Sequence, residues 1–321
     1  MSGGVDSSVA AALLKSQGYR VFGLMLRMWT AEEGENRCCS LSSINDAREV
    51  ADILGITPNP CIYCNRNIRF GHLLKEAISL GADYLATGHY VRLNRREDGF
   101  YQLRRGIDTH KDQSYMLYRL NQQQLAQALF PVGEYTKDDI RQKARKFGLP
   151  VSSKHDSQDL CFLGDNTQKE FLSKYVPETQ KPGGIKLKTG EIIGRHDGLA
   201  YYTIGQRKGI NLSWHEPLYV TDKDTATNML TVGPVQDTFA GEITGRLTCY
   251  TLAHEPPPSA VEVQIRYKDK IIPAQLTPAD NYGIKLTFGE AVRDATPGQS
   301  AVFYHGDTLL GGAIIDRVIR N

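Results

Sequence analysis

The residues best suited to chemistry open the chain. Ser2 to Ser8 read SGGVDSS, two adjacent glycines with three hydroxyls and a carboxylate, followed at once by the apolar run VAAALL. Backbone N–H groups at Gly3 and Gly4, the hydroxyls of Ser2, Ser7 and Ser8, and the positive end of a helix starting near Val5 suit an anionic pyrophosphate. A Walker loop would supply a lysine for the β and γ phosphates, and this loop contains none. Asp6 is out of place beside bare phosphate unless Mg²⁺ lies between them, which makes it an expected metal contact. A Gly-Gly turn followed by a Ser/Asp helix cap is the competing reading. The second reactive set is six cysteines, at 38, 39, 61, 64, 161 and 249. They are too sparse for a disulfide scaffold and are read as thiols or ligands.

The elements that must position these groups change character along the chain. Up to about residue 150, helix-like and strand-like segments alternate. VDSSVAAALLKSQGY is a predicted helix stopped by Gly18, and RVFGLML a predicted strand. SSINDAREVADILGI repeats the helix, capped at Ser42 or Ser43 and stopped at Gly55. IRFGHLLKEAISLGADYLATGHY gives a helix, Gly81 and a short buried strand. This is βαβ grammar, and parallel sheets of that kind bind ligands where strands meet helices, so the opening loop and TGHY are expected in one pocket. QQQLAQALF and TKDDIRQKARKFG are two further helices. After about residue 180 the runs become short and β-like, separated by Gly, Pro and Asp.

Bulk properties narrow the class. Lys and Arg number 38 against 36 Asp and Glu, a net charge of +2 that argues against blanket polyanion binding. Local basic patches remain: Arg66 with Arg69, Arg92 with Arg95 and Arg96, Arg104 with Arg105, Arg207 with Lys208, and Arg266 with Lys268 and Lys270. Each of these, taken singly, also reads as a solvated face. No apolar stretch is long enough for a membrane span and the start is not a signal or transit sequence, so a cytoplasmic protein without a membrane partner is expected.

SGGVDSS looks like the PP-loop of ATP pyrophosphatases. With TPNPCIYCNRNIRF (57–70), ATGHY (86–90), KDQSYMLYRL (111–120), LFPVGEYTK (129–137), DSQDLCFLG (156–164), YYTIGQRKG (201–209), IRY (265–267) and TPGQSAVFY (296–304), the chain closely resembles the tRNA-specific 2-thiouridylases. The resemblance runs through nine motifs in the family's order. It implies an α/β N-terminal PP-loop domain with a parallel sheet over 1–180, a small β-rich central tRNA-binding domain over 181–240 and a C-terminal β-barrel over 241–321. It implies ATP-dependent 2-thiolation of the tRNA wobble uridine, with ATP split to AMP and pyrophosphate.

Two departures stand out. The family has a β-strand just before the PP-loop, and this sequence begins inside the loop motif. Leu54-Gly55-Ile56 runs straight into TPNP, where family members carry a further βα unit of about thirty residues. A parallel sheet lacking its first strand exposes an edge, so an intact protein heavier than 35.8 kDa is expected.

By the same resemblance, Cys161 matches the persulfide-bearing cysteine and Cys64 its partner, the two forming a disulfide as sulfur is released. ATP contacts fall on Met1, Ser2, Gly3, Gly4, Val5, Asp6 and Ser7, on Leu26, and on Gly88, where the missing side chain lets backbone approach the adenosine. Asn59, Pro60 and Cys61 fall beside the target base, and Lys111, Asp112, Gln113, Arg266 and Tyr267 on the anticodon region of tRNA. Relatives carry Asp in an NPD motif where this chain has Cys61, so a carboxylate acid/base is missing there. Cys61, Cys64 and Cys161 together also suit three irons of a [4Fe–4S] cluster, or less well Zn²⁺. A persulfide route implies a cysteine desulfurase or sulfur-carrier protein as partner. Cys38, Cys39 and Cys249 read as inert buried thiols. Two rival functions remain: another PP-loop ligase using a nitrogen nucleophile, and a non-catalytic RNA-binding module.

Overall fold

The computed structural model describes residues 4–24, 60–153, 167–252 and 259–320. Helix α1, Val5–Ser16, follows Gly4 and buries Val5, Val9, Ala10, Leu13 and Leu14 on one side. Gly18 at φ +89° ends it, with backbone bonds from Gly18 to Lys15 and from Tyr19 to Leu14 closing the last turn. The described part of RVFGLML forms no strand, and Val21 and Phe22 are exposed. The predicted helix at 42–56 lies outside the described residues.

A second helical run starts at Pro60, whose missing N–H is harmless in a first turn. Pro60–Tyr63 is α-helical (α2), Cys64–Leu73 is a ten-residue π-helix, and Leu74–Ser79 returns to α geometry (α3). Such a long π segment is rare and marks sites under functional constraint. Strand β1, Leu85–Ala86, pairs in parallel with β4, Ala128–Leu129, which is the parallel sheet of the described N-terminal region. Between them lie the hairpin β2, Val91–Arg95, and β3, Tyr101–Arg105, a 3₁₀ turn at Ser114–Leu117, and α4, Gln122–Ala126. Helix α5, Lys137–Lys146, packs on α1 through Ile140 and Ala144 against Val5 and Val9.

After α6, Gln168–Tyr175, come strands β5 to β8, Gly183–Leu187, Ile192–His196, Tyr219–Asp224 and Met229–Gly233. They form a four-stranded sheet in the order β6-β5-β8-β7 around Ile185, Val220, Leu230 and Val232. The last six strands are β9, Phe239–Tyr250, β10, Ser259–Gln264, β11, Ile272–Ala279, β12, Gly283–Arg293, β13, Ser300–His305, and β14, Thr308–Ile319. They run in the order β13-β10-β11-β12-β9-β14, and β13 pairs with β14 to close the barrel.

The barrel and the N-terminal region share hydrogen bonds and core. β14 pairs with β3 at Thr308 and Arg104. Tyr115 and Tyr118 on the 3₁₀ segment are fully buried, donating to the Ser300 carbonyl at 2.8 Å and meeting the Ser300 hydroxyl at 3.1 Å. Asp307, at the β13–β14 turn, receives Arg92 at 2.6 Å and Arg104 through two nitrogens. These contacts hold the Asp307 carboxyl below its ordinary range, chiefly through Arg104. The sign follows. This bonding stabilises the fold above the unfolded carboxyl value and is lost as pH falls through the lower folded one. Asp307→Asn should cost no more than about 1 kcal/mol at pH 7, since the pair is partly exposed, and the difference from the parent should shrink as pH falls below the ordinary carboxylate range. Thermal midpoints across pH check this.

Candidate active site

The opening loop is built from α1 outward. Helices α4, α5 and α6 each begin with a capping box, from Asn121, Thr136 and Thr167. Helix α1 instead begins at Gly4 with no side-chain cap, and the Ser7 and Ser8 hydroxyls turn back onto the Gly4 carbonyl at 3.2 and 2.9 Å. The TGHY segment closes over this end. A Cβ on Gly88 would lie 2.8 Å from the Asp6 carbonyl carbon and the Ser7 nitrogen, so its missing side chain first serves contact with the loop itself. Sequence reasoning assigned that space to adenosine; tight loop packing is a requirement it did not register.

Asp6 is partnered within the protein. Its Oδ1 accepts the Tyr90 hydroxyl at 2.8 Å and the Lys137 ammonium at 2.7 Å. A divalent cation at that oxygen would have to take the place of the ammonium. Lys137 is itself buried, at 8% exposure, and stands at the first position of α5.

Gln113 joins the loop to the thiol-bearing turn. Its backbone N–H donates to the Tyr90 carbonyl at 3.0 Å, and its side-chain oxygen accepts the Tyr90 N–H at 3.1 Å. Its side chain also lies near the Tyr267 hydroxyl, which it favours in the charged form against the opposing effect of burial. Tyr267 packs tilted against Tyr115, ring centres 6.1 Å apart, and feels the charge of both Asp112 and Cys61, with burial pushing its hydroxyl above the ordinary value. Thus Cys61, Gln113, Asp112 and Tyr267, separated widely in the chain, gather in one place. Cys61 and Cys64 are half-buried thiols, one helical turn apart across α2 and the start of the π-helix.

Not every expected RNA contact faces outward. Asp112 spends one oxygen on the Gly106 and Ser114 N–H groups and the other on the Ser114 hydroxyl; burial raises its carboxyl above the usual range. Arg266 donates to the Ile204 carbonyl at 2.7 Å and to Thr296 Oγ1 at 3.0 Å, tying barrel to central sheet. The Lys111 backbone bonds Asp108 within a turn. Met1, Ser2, Gly3, Leu26, Asn59 and Cys161 lie outside the described residues. Among the described residues no group of three or more His, Cys, Asp or Glu is arranged to hold a metal ion. Burial pushes the Cys249 thiol up, away from reactivity.

A buried chain of polar groups links the π-helix to TGHY, and sequence reasoning missed it. Asn65 donates to the Met116 carbonyl at 3.2 Å and accepts Arg69 at 2.8 Å, and Arg69 reaches His89 Nε2 at 3.1 Å. An arginine can only donate, so Nε2 is the acceptor and the ring proton sits on Nδ1, toward Thr87 Oγ1 at 2.8 Å. Burial, then the Arg69 charge, holds the imidazole well below its ordinary range. His89 should therefore show no titration between about pH 6 and 8, with the proton on Nδ1, by ¹⁵N NMR. The local signal was present: Asn65 and Arg69 are four apart, on one face of a helix.

A nucleotide loop, a buried polar link to a thiol-bearing turn, a central sheet and a closed barrel define a multidomain enzyme of the HUP type. Family models match in the same order. They are described as a tRNA methyl transferase HUP domain at residues 1–57 and 54–165, a tRNA methyl transferase PRC-barrel domain at 169–234, and an aminomethyltransferase beta-barrel domain at 245–315. The chain is 44% identical over 354 residues to tRNA-specific 2-thiouridylase MnmA 1 of Caldanaerobacter subterraneus, covering 100% of this chain and 97% of the relative. It is 42% identical to MnmA of Clostridium perfringens, over 99% of this chain and 98% of the relative, and 43% identical to that of Carboxydothermus hydrogenoformans, over 99% and 96%. The chain belongs to the tRNA-specific 2-thiouridylase family. An alignment of 354 residues exceeds the 321 of this chain. The HUP match divides at 54–57, where the sequence passes from LGI into TPNP.

Proposed function

We propose that this chain makes 2-thiouridine at the wobble position of tRNA, using ATP to activate the uracil 2-oxygen. Family membership supports the substrate. The observation that supports the mechanism is Gln113, which bonds Tyr90 beside the Asp6 loop and acts on the Tyr267 hydroxyl, which also feels the charge of Cys61, so the nucleotide loop and the turn that carries Cys61 and Cys64 lie close together. The uracil oxygen attacks the α-phosphate and pyrophosphate leaves. The terminal sulfur of a Cys161 persulfide then attacks C2 and AMP departs with the oxygen, leaving the base joined to Cys161 through the S–S bond. The Cys64 thiolate attacks Cys161 Sγ, that bond breaks to release 2-thiouridine, and the Cys64–Cys161 disulfide is reset by an external dithiol reductant. The persulfide comes from a cysteine desulfurase or sulfur-carrier protein. Gly4, Val5, Asp6, Ser7 and Gly88 frame the nucleotide, Pro60 and Cys61 the flipped base, and Tyr267 and Gln113 its surroundings.

Cys61 favours a second reading of the same reaction. Its thiol lies one turn from Cys64, and with Cys161 as a third these thiols would supply three ligands of a [4Fe–4S] cluster, which would hold sulfide on its fourth iron. Iron and acid-labile sulfide per chain, measured on protein purified without oxygen, separate the two. Negligible iron with active protein supports the persulfide. About four irons and four sulfides, lost in Cys61→Ser, overturn it. Thiolation that continues without ATP would overturn the activation step in both.

A further inference from the structure

The opening loop lacks the lysine that phosphate loops of the Walker type carry, and the fold brings one to it from 131 positions away. Lys137 Nζ lies 2.7 Å from Asp6 Oδ1 and 5.8 Å from the Tyr90 ring centre, with its side chain 10% exposed. Nothing about helix stability asks for a lysine there. The first turn of a helix is its positive end and disfavours a cation. Removing an ammonium from water costs more than one ion pair with a partly exposed carboxylate reliably returns. Two acidic residues, Asp138 and Asp139, share that turn, yet Asp139 is engaged in the Thr136 capping box and the Lys137 backbone N–H goes to Asp108 at 3.0 Å. What the placement achieves is convergence. The N-terminus of α1, the N-terminus of α5 and one ammonium meet at the same loop, held there by Ile140 and Ala144 packing on Val5 and Val9. Such a convergence suits the multiple negative charge of a polyphosphate.

We infer that Lys137 is the phosphate-binding lysine of this site, supplied by α5 instead of by the loop, with Asp6 holding its ammonium in place until nucleotide arrives. The inference rests on the ATP-dependent reading given above. When ATP binds, the three N–H bonds of the ammonium can be shared between Asp6 and phosphate oxygen. Lys137 thus neutralises the carboxylate that would otherwise repel the nucleotide.

Lys137→Met tests this through three ligands measured by calorimetry on the full chain. ATP and pyrophosphate should each bind about ten- to a hundredfold more weakly, the loss expected for one charge-assisted hydrogen bond, while adenosine keeps its parent affinity. Equal weakening of all three, or no weakening, overturns the inference. A parent chain that binds no ATP overturns the ATP-dependent reading, and the inference with it. Should the variant fail to fold, the parent chain decides. An adenosine diphosphate bearing a pyridoxal aldehyde at its phosphate end, reduced with borohydride, should label Lys137, and labelling of other lysines in its place overturns the assignment.

Discussion

Cys64→Ser should lower multiple-turnover thiolation by on the order of a thousandfold or more, while ATP is still opened to AMP and pyrophosphate in the presence of tRNA. The two halves of the reaction depend on different parts of the fold. In the proposed reaction, activation draws on α1, Gly88, Tyr90 and Asp6, none of which contains sulfur. In the proposed persulfide route, sulfur release needs a second thiol to close on the first, and a serine hydroxyl cannot form that bond. Cys61→Ser gives the contrast. Cys61 lies one turn before Cys64 and its charge acts on Tyr267, but it has no part in the proposed Cys64–Cys161 pair, so its loss should leave thiolation within about threefold of the parent under the persulfide route. If Cys61→Ser fails as completely as Cys64→Ser and iron disappears with it, the three cysteines act as one ligand set. Quantifying 2-thiouridine in digested tRNA alongside released AMP reads both steps from one reaction. Full thiolation by Cys64→Ser would remove Cys64 from the chemistry.

Local signals in the sequence translated well into elements, and the reason is that each was self-contained. The Gly18 stop after VDSSVAAALLKS works through backbone bonds within five residues, and Thr136 caps α5 through Asp139 three positions on. Alternation in β11 and β12 sets Ala274 and Leu276 against Leu286 and Phe288 in the barrel core, which a period of two predicts. The π geometry after Cys64 was illegible, since an apolar pattern such as IRFGHLL is compatible with either helix. So was the direction of individual cations. Arg266 reads equally well as an RNA contact or an interior tie, and only the approach of Ile204 and Thr296 decides where its guanidinium goes. Lys137 ended a motif already singled out, yet its meaning depends on Asp6 at the other end of the domain. Long-range polar pairing of this kind has no periodicity by which to be found.

Gly88→Ala should reduce ATP-dependent AMP formation by about a hundredfold, because the loop it touches must then move. The added Cβ would sit 2.8 Å from two backbone atoms and 2.9 Å from the Asp6 Cβ. None of these is the end of a flexible chain. Ordinary contact requires about 3.4 Å or more, so either TGHY or the start of α1 shifts by more than half an ångström. TGHY cannot yield easily: Thr87 bonds the Leu129 backbone, His89 lies in the Arg69 chain, and Tyr90 is held twice by Gln113. The displacement therefore falls on Gly4 to Ser7 and on the Asp6–Lys137 pair. Overpacking of this size also costs about 1–3 kcal/mol of stability, so activity and thermal midpoint must be measured together. Gly289→Ala controls for generic effects, since a Cβ there meets nothing within 4 Å. A Gly88→Ala chain that melts lower yet opens ATP at the parent rate would show that the loop tolerates displacement and that Gly88 serves packing alone.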